Sequence, residues 1–338
     1  MAKSSRWLIL LLLAATACGG PFPQSTLAPK SDFAGQIDHL YRGIFWWAVA
    51  VFAIVEGLLL FVAIRYRHRP GAPDPKGLHG HTGLELAWTV APAMILIFIA
   101  VPTMKTIFAT QREQPAGALT VEVVGHQWWW EYRYPSLGIV TANEMHLPVR
   151  RPIELQLSSA DVIHSFWAPG LGGKRDVIPG HLNRIVFRPD SIGTFMGQCA
   201  EFCGASHANM RLRVMVESDS AFQAWSRDQT QAAAAPALPA PPAVPPTSLV
   251  AQGQQAFMRY GCVGCHTMGA MSNAKVGPVL THLASRTTIA GGIFPNDSLH
   301  LAQWIGDPPR QKPGSIMPNM HVPPQDLAAL IAFLQSMK

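Results

Sequence analysis

Residues 199–210 read Cys199-Ala-Glu-Phe-Cys203-Gly-Ala-Ser-His207-Ala-Asn-Met210 and bring two thiols, an imidazole and a thioether into one short run. Soft thiolates and imidazoles suit copper, and a weak thioether ligand tunes its reduction potential. A second imidazole has to come from elsewhere, and His164 is the best candidate because it follows a predicted strand. The pattern alone predicts a soft-metal site. Zinc and the thiol pair of a copper chaperone remain alternatives, although neither needs a glutamate between the cysteines or a methionine after the histidine.

The sequence around this run alternates between apolar and polar residues over short stretches. These stretches are separated by Pro and Gly turns, which is the pattern of an all-β sandwich or barrel. The clearest of them are residues 119–124, 153–157 and 211–216.

The composition favours a membrane protein over a nucleic-acid-binding one. Of all residues, 49% are hydrophobic and only 14% are charged, which is a low charged fraction for a soluble protein. The net charge of +6 is a weak clue, because membrane topology explains basic residues near the N-terminus and in a short loop. There are two apolar runs, Gly43–Ile64 and Leu86–Phe108. Each is as long as the stretch of about 20 residues that a helix needs to cross the hydrocarbon.

The loop between these runs sets the predicted orientation. It carries Arg65, Arg67, Arg69 and Lys76, and a short loop rich in Lys and Arg stays cytoplasmic. The N-terminus and everything after the second run are therefore expected on the outer, periplasmic side of a bacterial cell membrane.

The N-terminus resembles an exported leader. Residues 1–18 combine a basic start with an apolar run too short to span a bilayer. Small residues just before Cys18 predict a lipoprotein processing site, with ordinary cleavage nearby as the alternative. Residues 19–42 are then expected as an extracytoplasmic segment.

The C-terminal region carries a second set of chemically active residues. An Ala/Pro-rich linker at residues 229–248 precedes residues 249–338, which read as helical. Within them, Cys262-Val-Gly-Cys265-His266 is the motif of covalent haem c attachment, in which the thiols form thioethers and the histidine binds the iron. Each of the five cysteines thus has a chemical task, and none is left for a structural disulfide.

Two further features support the haem motif. Gly277-Pro278 follows at the spacing seen in small cytochromes c, where the proline carbonyl holds the other ring nitrogen of the histidine. Met317 precedes the last amphipathic helix, where a distal ligand that raises the potential is expected, and Met320 is a nearby competitor.

The metal-binding run carries a family resemblance. C-x-E-x-C-G-x-x-H-x-x-M, preceded by Asp161-Val-Ile-His164-Ser, resembles subunit II of haem–copper cytochrome c oxidases over about residues 35–225. The resemblance implies a cupredoxin-like Greek-key β-barrel at residues 119–228 that holds a dinuclear copper centre, CuA. Cys199 and Cys203 would bridge the coppers, His164 and His207 would each cap one, and Met210 and the Glu201 carbonyl would be weak ligands. The Glu201 side chain would reach a Mg²⁺ or Mn²⁺ ion shared with subunit I.

The same resemblance implies two further roles. Gly125-His-Gln-Trp128, within an aromatic run read as a strand, is similar to the family motif in which the tryptophan accepts electrons at the surface above the copper. Glu85 lies three residues before Trp88 at the cytoplasmic end of the second apolar run, where the family has the entrance of a proton pathway. Strand packing and a plain surface carboxylate are the alternatives.

The predicted architecture is therefore multidomain, with a two-helix transmembrane hairpin, an all-β cupredoxin-like domain and an all-α cytochrome c domain. This combination resembles subunit II of the caa3-type oxidases, in which electrons pass from haem c through CuA to subunit I for O₂ reduction coupled to proton pumping. The expected partners are oxidase subunits I and III and an external donor, either a cytochrome c or a bc1-type complex. A CuA-containing nitric oxide reductase subunit remains an alternative, and an assembly chaperone is disfavoured because it needs neither the haem motif nor the second span.

Overall fold

The computed structural model of the chain describes residues 22–71, 77, 80–111, 113, 115–231 and 247–338. The predicted leader, with Cys18, and most of the predicted linker lie outside the described residues.

Two long helices open the described part of the chain. Helix α1 spans Asp32–Arg65 and helix α2 spans Thr82–Thr110, and both are long and apolar enough to cross a membrane. The rings of Trp47 and Phe98 stack between them, with centroids 6.1 Å apart. The predicted apolar runs lie within these helices, but α1 begins well before Gly43.

The early start of α1 has a local cause. Ser31 caps the helix, because its hydroxyl accepts a hydrogen bond from Ala34 N at 3.1 Å. The same hydroxyl donates to Leu171 O at 2.6 Å, and the buried Phe33 ring lies so close to Gly172 that any side chain there would clash with it. The first turn of α1 is therefore packed against the domain that follows.

That domain contains two five-stranded sheets. The strands are β1 Leu119–His126, β2 Trp129–Tyr134, β3 Ile139–Ala142, β4 Glu144–Pro148, β5 Ile153–Ser159, β6 His164–Trp167, β7 Arg175–Val177, β8 Asn183–Phe187, β9 Gly193–Cys199 and β10 Arg211–Glu217. The first sheet has the order β3-β2-β1-β5-β8 and the second the order β4-β10-β9-β6-β7. In both sheets antiparallel pairs are mixed with one parallel pair, β1 with β5 and β4 with β10.

Apolar side chains from both sheets form one buried core, which is the reason for the alternation seen in the sequence. The aromatic run at residues 125–134 was wrongly read as one strand. It forms a hairpin, because β1 ends at His126, β2 begins at Trp129 and the two strands pair antiparallel. Helix α3, Asp219–Thr230, follows the last strand of this β-domain.

The C-terminal domain is helical, with a second buried core. Its first and last helices, at Leu249–Arg259 and Pro324–Ser336, pack so closely that a side chain at Gly253 would overlap the Ala329 carbonyl. Its elements are α4 Leu249–Arg259, β11 Thr288–Ile289, β12 Phe294–Pro295, α5 Ser298–Gly306, α6 Pro308–Gln311 and α7 Pro324–Ser336, with short 3-10 turns between them. The predicted fold class of helix pair, cupredoxin-like β-domain and helical C-terminal domain is confirmed.

Candidate functional site

The metal loop, residues 199–210, connects two neighbouring antiparallel strands of the second sheet. It leaves β9 at Cys199 and enters β10 after Met210, and Cys199 N donates to Met210 O at 2.9 Å, which closes the base of the loop. His164 opens β6, which pairs with β9 on its other side. The sheet therefore brings together ligand candidates that lie far apart in the sequence.

The candidate ligands form a compact cluster. The Sγ atoms of Cys199 and Cys203 lie 3.7 Å apart. The ligand atoms of His164 and both cysteines all lie within 4.8 Å of one another. All three side chains are buried, as is Met210. A buried set of thiols and imidazole is the donor chemistry that a soft metal requires.

The candidate ligand atoms form two groups, one around each thiol. Cys199 Sγ lies 3.9 Å from His164 Nδ1 and 3.2 Å from the backbone oxygen of Glu201. Cys203 Sγ lies 3.6 Å from His207 Nδ1 and 3.9 Å from Met210 Sδ. Each thiol thus has its own imidazole and its own weak donor.

The two thiols also share a proton. The hydrogen bond between their Sγ atoms lowers the pKa of Cys199 and raises that of Cys203. The first proton therefore leaves easily, whereas the second leaves readily only when a cation replaces it. A thiol pair in this state is suited to bind a cation.

Asp161, to which sequence reasoning gave no role of its own, orients the His164 ring. Its Oδ1 lies 2.8 Å from His164 Nε2, which leaves Nδ1 on the side of Cys199. Burial lowers the pKa of His164, but the bonds to Asp161 and Cys199 outweigh it and raise the pKa overall. The spacing of three residues between aspartate and histidine was the available signal. A carboxylate on the far nitrogen of a metal-binding histidine fixes its tautomer and orientation.

Trp128 lies beside the metal loop but not at the surface. Its indole N–H donates to Cys203 O at 3.0 Å, and the side chain is only 7% exposed. Gly314 of the C-terminal domain covers the ring, because a Cβ at that position would lie 2.6 Å from Trp128 Cη2. The expected surface position is corrected for a physical reason: the chain's own C-terminal domain occupies that surface.

The C-terminal domain contains a largely apolar cavity of about 200 Å³. Both thiols of the C-x-x-C-H motif line it, as do His266 and the two methionines Met317 and Met320. His266 Nδ1 bonds the Pro278 carbonyl at 2.8 Å, which leaves Nε2 to bind a metal. A Cβ at Gly277 would lie 2.6 Å from His266 Cε1, so only glycine fits there.

The residues around this cavity fit a haem that is covalently attached. The lining is mostly apolar, as a porphyrin requires. Arg286 also lines the cavity, and its buried Nε has no hydrogen-bond partner among the described residues. Burial lowers the pKa of Arg286 to about 10, so the guanidinium remains charged at neutral pH and suits an acidic group of the ligand. Sequence reasoning missed this residue.

Two predicted residues lie outside these clusters. The Glu201 side chain is exposed beside the metal loop, and only its backbone oxygen approaches the thiols. Glu85 lies in the first turn of α2, where its Oε1 accepts a hydrogen bond from His81 N at 3.1 Å.

Comparison with protein families matches three parts of the chain. Residues 24–106 match the transmembrane domain of cytochrome c oxidase subunit II, and residues 138–218 match its periplasmic domain. Residues 250–338 match the cytochrome c family.

Similar proteins extend over nearly the whole chain. Cytochrome c oxidase subunit 2 of Alkalihalophilus pseudofirmus is 35% identical over 99% of this chain and 97% of its own length. The protein of the same name from a Bacillus species, strain PS3, is 32% identical over 98% of this chain and 95% of its own length. The crystal structure of the periplasmic domain of cytochrome oxidase subunit II from Bradyrhizobium japonicum is 36% identical. The match covers 35% of this chain and 96% of the chain in that crystal structure, with a TM-score of 0.34.

Proposed function

Because the chain belongs to the cytochrome c oxidase subunit II family and carries a C-terminal cytochrome c domain, we propose that it is the electron-accepting subunit of a caa3-type oxidase. Electrons would pass from a haem c in the C-terminal domain, through a dinuclear copper centre, to subunit I for O₂ reduction coupled to proton pumping. The membership itself makes the chain a membrane-anchored subunit of the oxidase complex, with a periplasmic domain and subunit I as its partner. The family also implies copper and haem c as cofactors.

One observation carries the proposed route. Trp128 lines the C-terminal cavity and also donates its indole hydrogen to Cys203 O in the metal loop. A single side chain therefore connects the two candidate cofactor sites. Electron transfer between fixed sites requires this kind of short, well-packed connection, and Trp128 remains our proposed point at which electrons reach the copper.

The chain's own residues would hold both groups. Cys199 and Cys203 would hold the copper as thiolates, His164 and His207 would supply its two imidazoles, and Met210 and Glu201 O would be weak donors. Cys262 and Cys265 would attach the haem, and His266 and Met317 would bind its iron. Both groups supply one-electron redox chemistry at a nearly fixed geometry.

Further assignments extend the proposal to the complex. The exposed Glu201 side chain is free to reach a Mg²⁺ or Mn²⁺ ion shared with subunit I, and Glu85 is the proposed entrance of a proton pathway. Subunit III is a proposed second partner, and a cytochrome c or a bc1-type complex is the proposed donor to the haem. We propose that the β-domain and the C-terminal domain face the outside of a bacterial cytoplasmic membrane, anchored additionally by lipidated Cys18.

The copper assignment is tested by electron paramagnetic resonance on the full-length chain in its oxidase complex. We expect a hyperfine pattern from one electron shared over two coppers, and we expect Cys203→Ser to abolish it. A spectrum from a single copper would contradict the dinuclear assignment.

The route is tested by photoreducing the haem and following both cofactors. Haem oxidation and copper reduction should proceed together, at a rate that does not depend on protein concentration. A rate proportional to concentration would show that transfer occurs between molecules and would refute the intramolecular route.

A further inference from the structure

Glu144 joins the two periplasmic domains through an unusual contact. It is the first residue of β4 and is only 1% exposed. Its carboxylate accepts hydrogen bonds from Thr287 N at 2.9 Å, from Thr287 Oγ1 at 2.6 Å and from Thr288 Oγ1 at 2.6 Å. All three donors belong to the C-terminal domain, at the start of its β11 strand.

The contact favours one arrangement of the two domains, because burying the Glu144 carboxylate without hydrogen-bond partners would cost free energy. A carboxylate is stable in a buried position only when hydrogen bonds replace its water. Here the replacement comes from the other domain, and Arg213 Nη1 reinforces it by donating to Thr287 Oγ1 at 2.9 Å. We name Glu144, Thr287 and Thr288 the carboxylate latch.

A second group of contacts surrounds Trp128. Lys312, only 4% exposed, donates to the carbonyl oxygens of Trp128 at 2.5 Å and Ala290 at 2.9 Å. It therefore ties the backbone of the proposed electron acceptor to the C-terminal domain.

The metal loop itself contacts the same domain. Ser206 Oγ donates to Pro313 O at 2.7 Å, and Arg211 N donates to Gly291 O at 3.0 Å. These two residues flank His207 and Met210. The part of the metal loop that carries His207 and Met210 is therefore bonded to the segments that border the C-terminal cavity.

Covalent linkage of two domains alone gives an effective concentration on the order of mM, which sustains transient encounters without any dedicated bond. A buried carboxylate with donors from the facing domain acts differently, because its hydrogen bonds form, and stabilise the contact, in only one relative orientation of the two domains. We propose that the carboxylate latch holds the C-terminal domain docked over Trp128 as a resting state, so that Glu144 is a positioning residue for electron delivery to the metal loop. This inference rests on the proposed function. It also implies that an external donor delivers electrons to the C-terminal domain, since Trp128 is covered.

The test uses the complete oxidase with Glu144→Gln on one side of the interface and Thr288→Val on the other. Hydrogen exchange followed by mass spectrometry reports on the Thr287 amide, which donates to Glu144. We expect exchange there to rise about tenfold or more in either variant, because each one leaves a buried hydrogen-bonding group without its partner. Haem-to-copper transfer should slow in parallel, whereas the haem and copper spectra stay unchanged.

Glu122→Gln is the matched control, because Glu122 is a partly exposed carboxylate on β1 whose closest cation, Arg133, lies 3.9 Å away. The double variant Glu144→Gln/Thr288→Val should change exchange by less than the product of the two single effects, since the residues form one contact. Unchanged exchange at Thr287 in both single variants, or fully multiplicative effects, would overturn the latch. Hydrogen exchange at Thr287 does not depend on electron transfer, so the two measurements test different claims. If exchange rises in the variants but no haem-to-copper transfer is observed in the unsubstituted protein, only the proposed function is refuted.

Discussion

Gly125 is the residue whose substitution should weaken the metal site most selectively. A Cβ there would lie 2.8 Å from His164 Cδ2, about 0.7 Å short of an ordinary carbon–carbon contact of about 3.5 Å. The ring has no room to retreat, because His164 is fully buried and its Nε2 is held by Asp161. The Gly125→Ala substitution should therefore push the imidazole away from its ligand position.

The size of the effect follows from the cost of forcing one extra carbon into a packed site, which is about 1–3 kcal/mol. If that cost falls on the metal-bound form, copper affinity drops by about 5-fold to 150-fold. Competition with a copper chelator measures this ratio. Gly35→Ala is the control, since nothing lies within 4 Å of a Cβ at that position.

Two results would contradict the predicted displacement of the His164 ring. One is copper affinity within about twofold of the unsubstituted protein. The other is a lowered unfolding temperature of the metal-free protein with unchanged copper affinity, which would mean that the clash strains the fold rather than the ligand.

Three further outcomes are expected. Gly277→Ala should prevent haem attachment or lower its yield severalfold, because the new methyl group overlaps the His266 ring, and the absorbance of covalently bound haem measures this. Met317→Leu should abolish the low-spin spectrum of the haem whereas Met320→Leu leaves it intact, and the reverse pattern would exchange the two assignments. Burial lowers the pKa of Lys312 from 10.5 to about 7, so the docked form binds fewer protons than the separated form between those values. Docking should therefore be weakest below pH 7 and strengthen as the pH rises towards 10.5, as seen by hydrogen exchange at the interface, and Lys312→Met should remove this dependence.

Much of the site was predictable because its signals are local. The spacing within the metal loop and within the C-x-x-C-H motif is fixed by short stretches of chain, and the structure brings His164 to the loop as the sequence suggested. The contact of Glu144 with Thr287 joins residues 143 positions apart, and no local pattern marks either partner. The buried position of Trp128 was missed for the same reason, since it depends on how two domains meet.

The start of α1 was missed for a different reason. Hydropathy marks only the apolar part of a helix, and the residues between Asp32 and Gly43 are mixed in polarity. The sequence does carry a start signal in the cap Ser31 followed by Asp32 in the first turn, but a search for membrane spans does not read it.

Helix α1 also determines where the β-domain lies relative to the bilayer. Its 34 residues extend about 51 Å at about 1.5 Å per residue, whereas the hydrocarbon of a bilayer is about 30 Å thick. The helix therefore continues beyond the hydrocarbon, and its first turn packs against the β-domain. The length of the helix determines the height of the metal loop above the bilayer. The rotation of the helix about its axis determines in which direction that loop faces a neighbouring subunit. One residue inserted into the outer part of α1 would lift the domain by about 1.5 Å and swing it by about 100°. Four residues would lift it by about 6 Å and leave it only about 40° from its original orientation, so the effects of height and orientation can be separated experimentally.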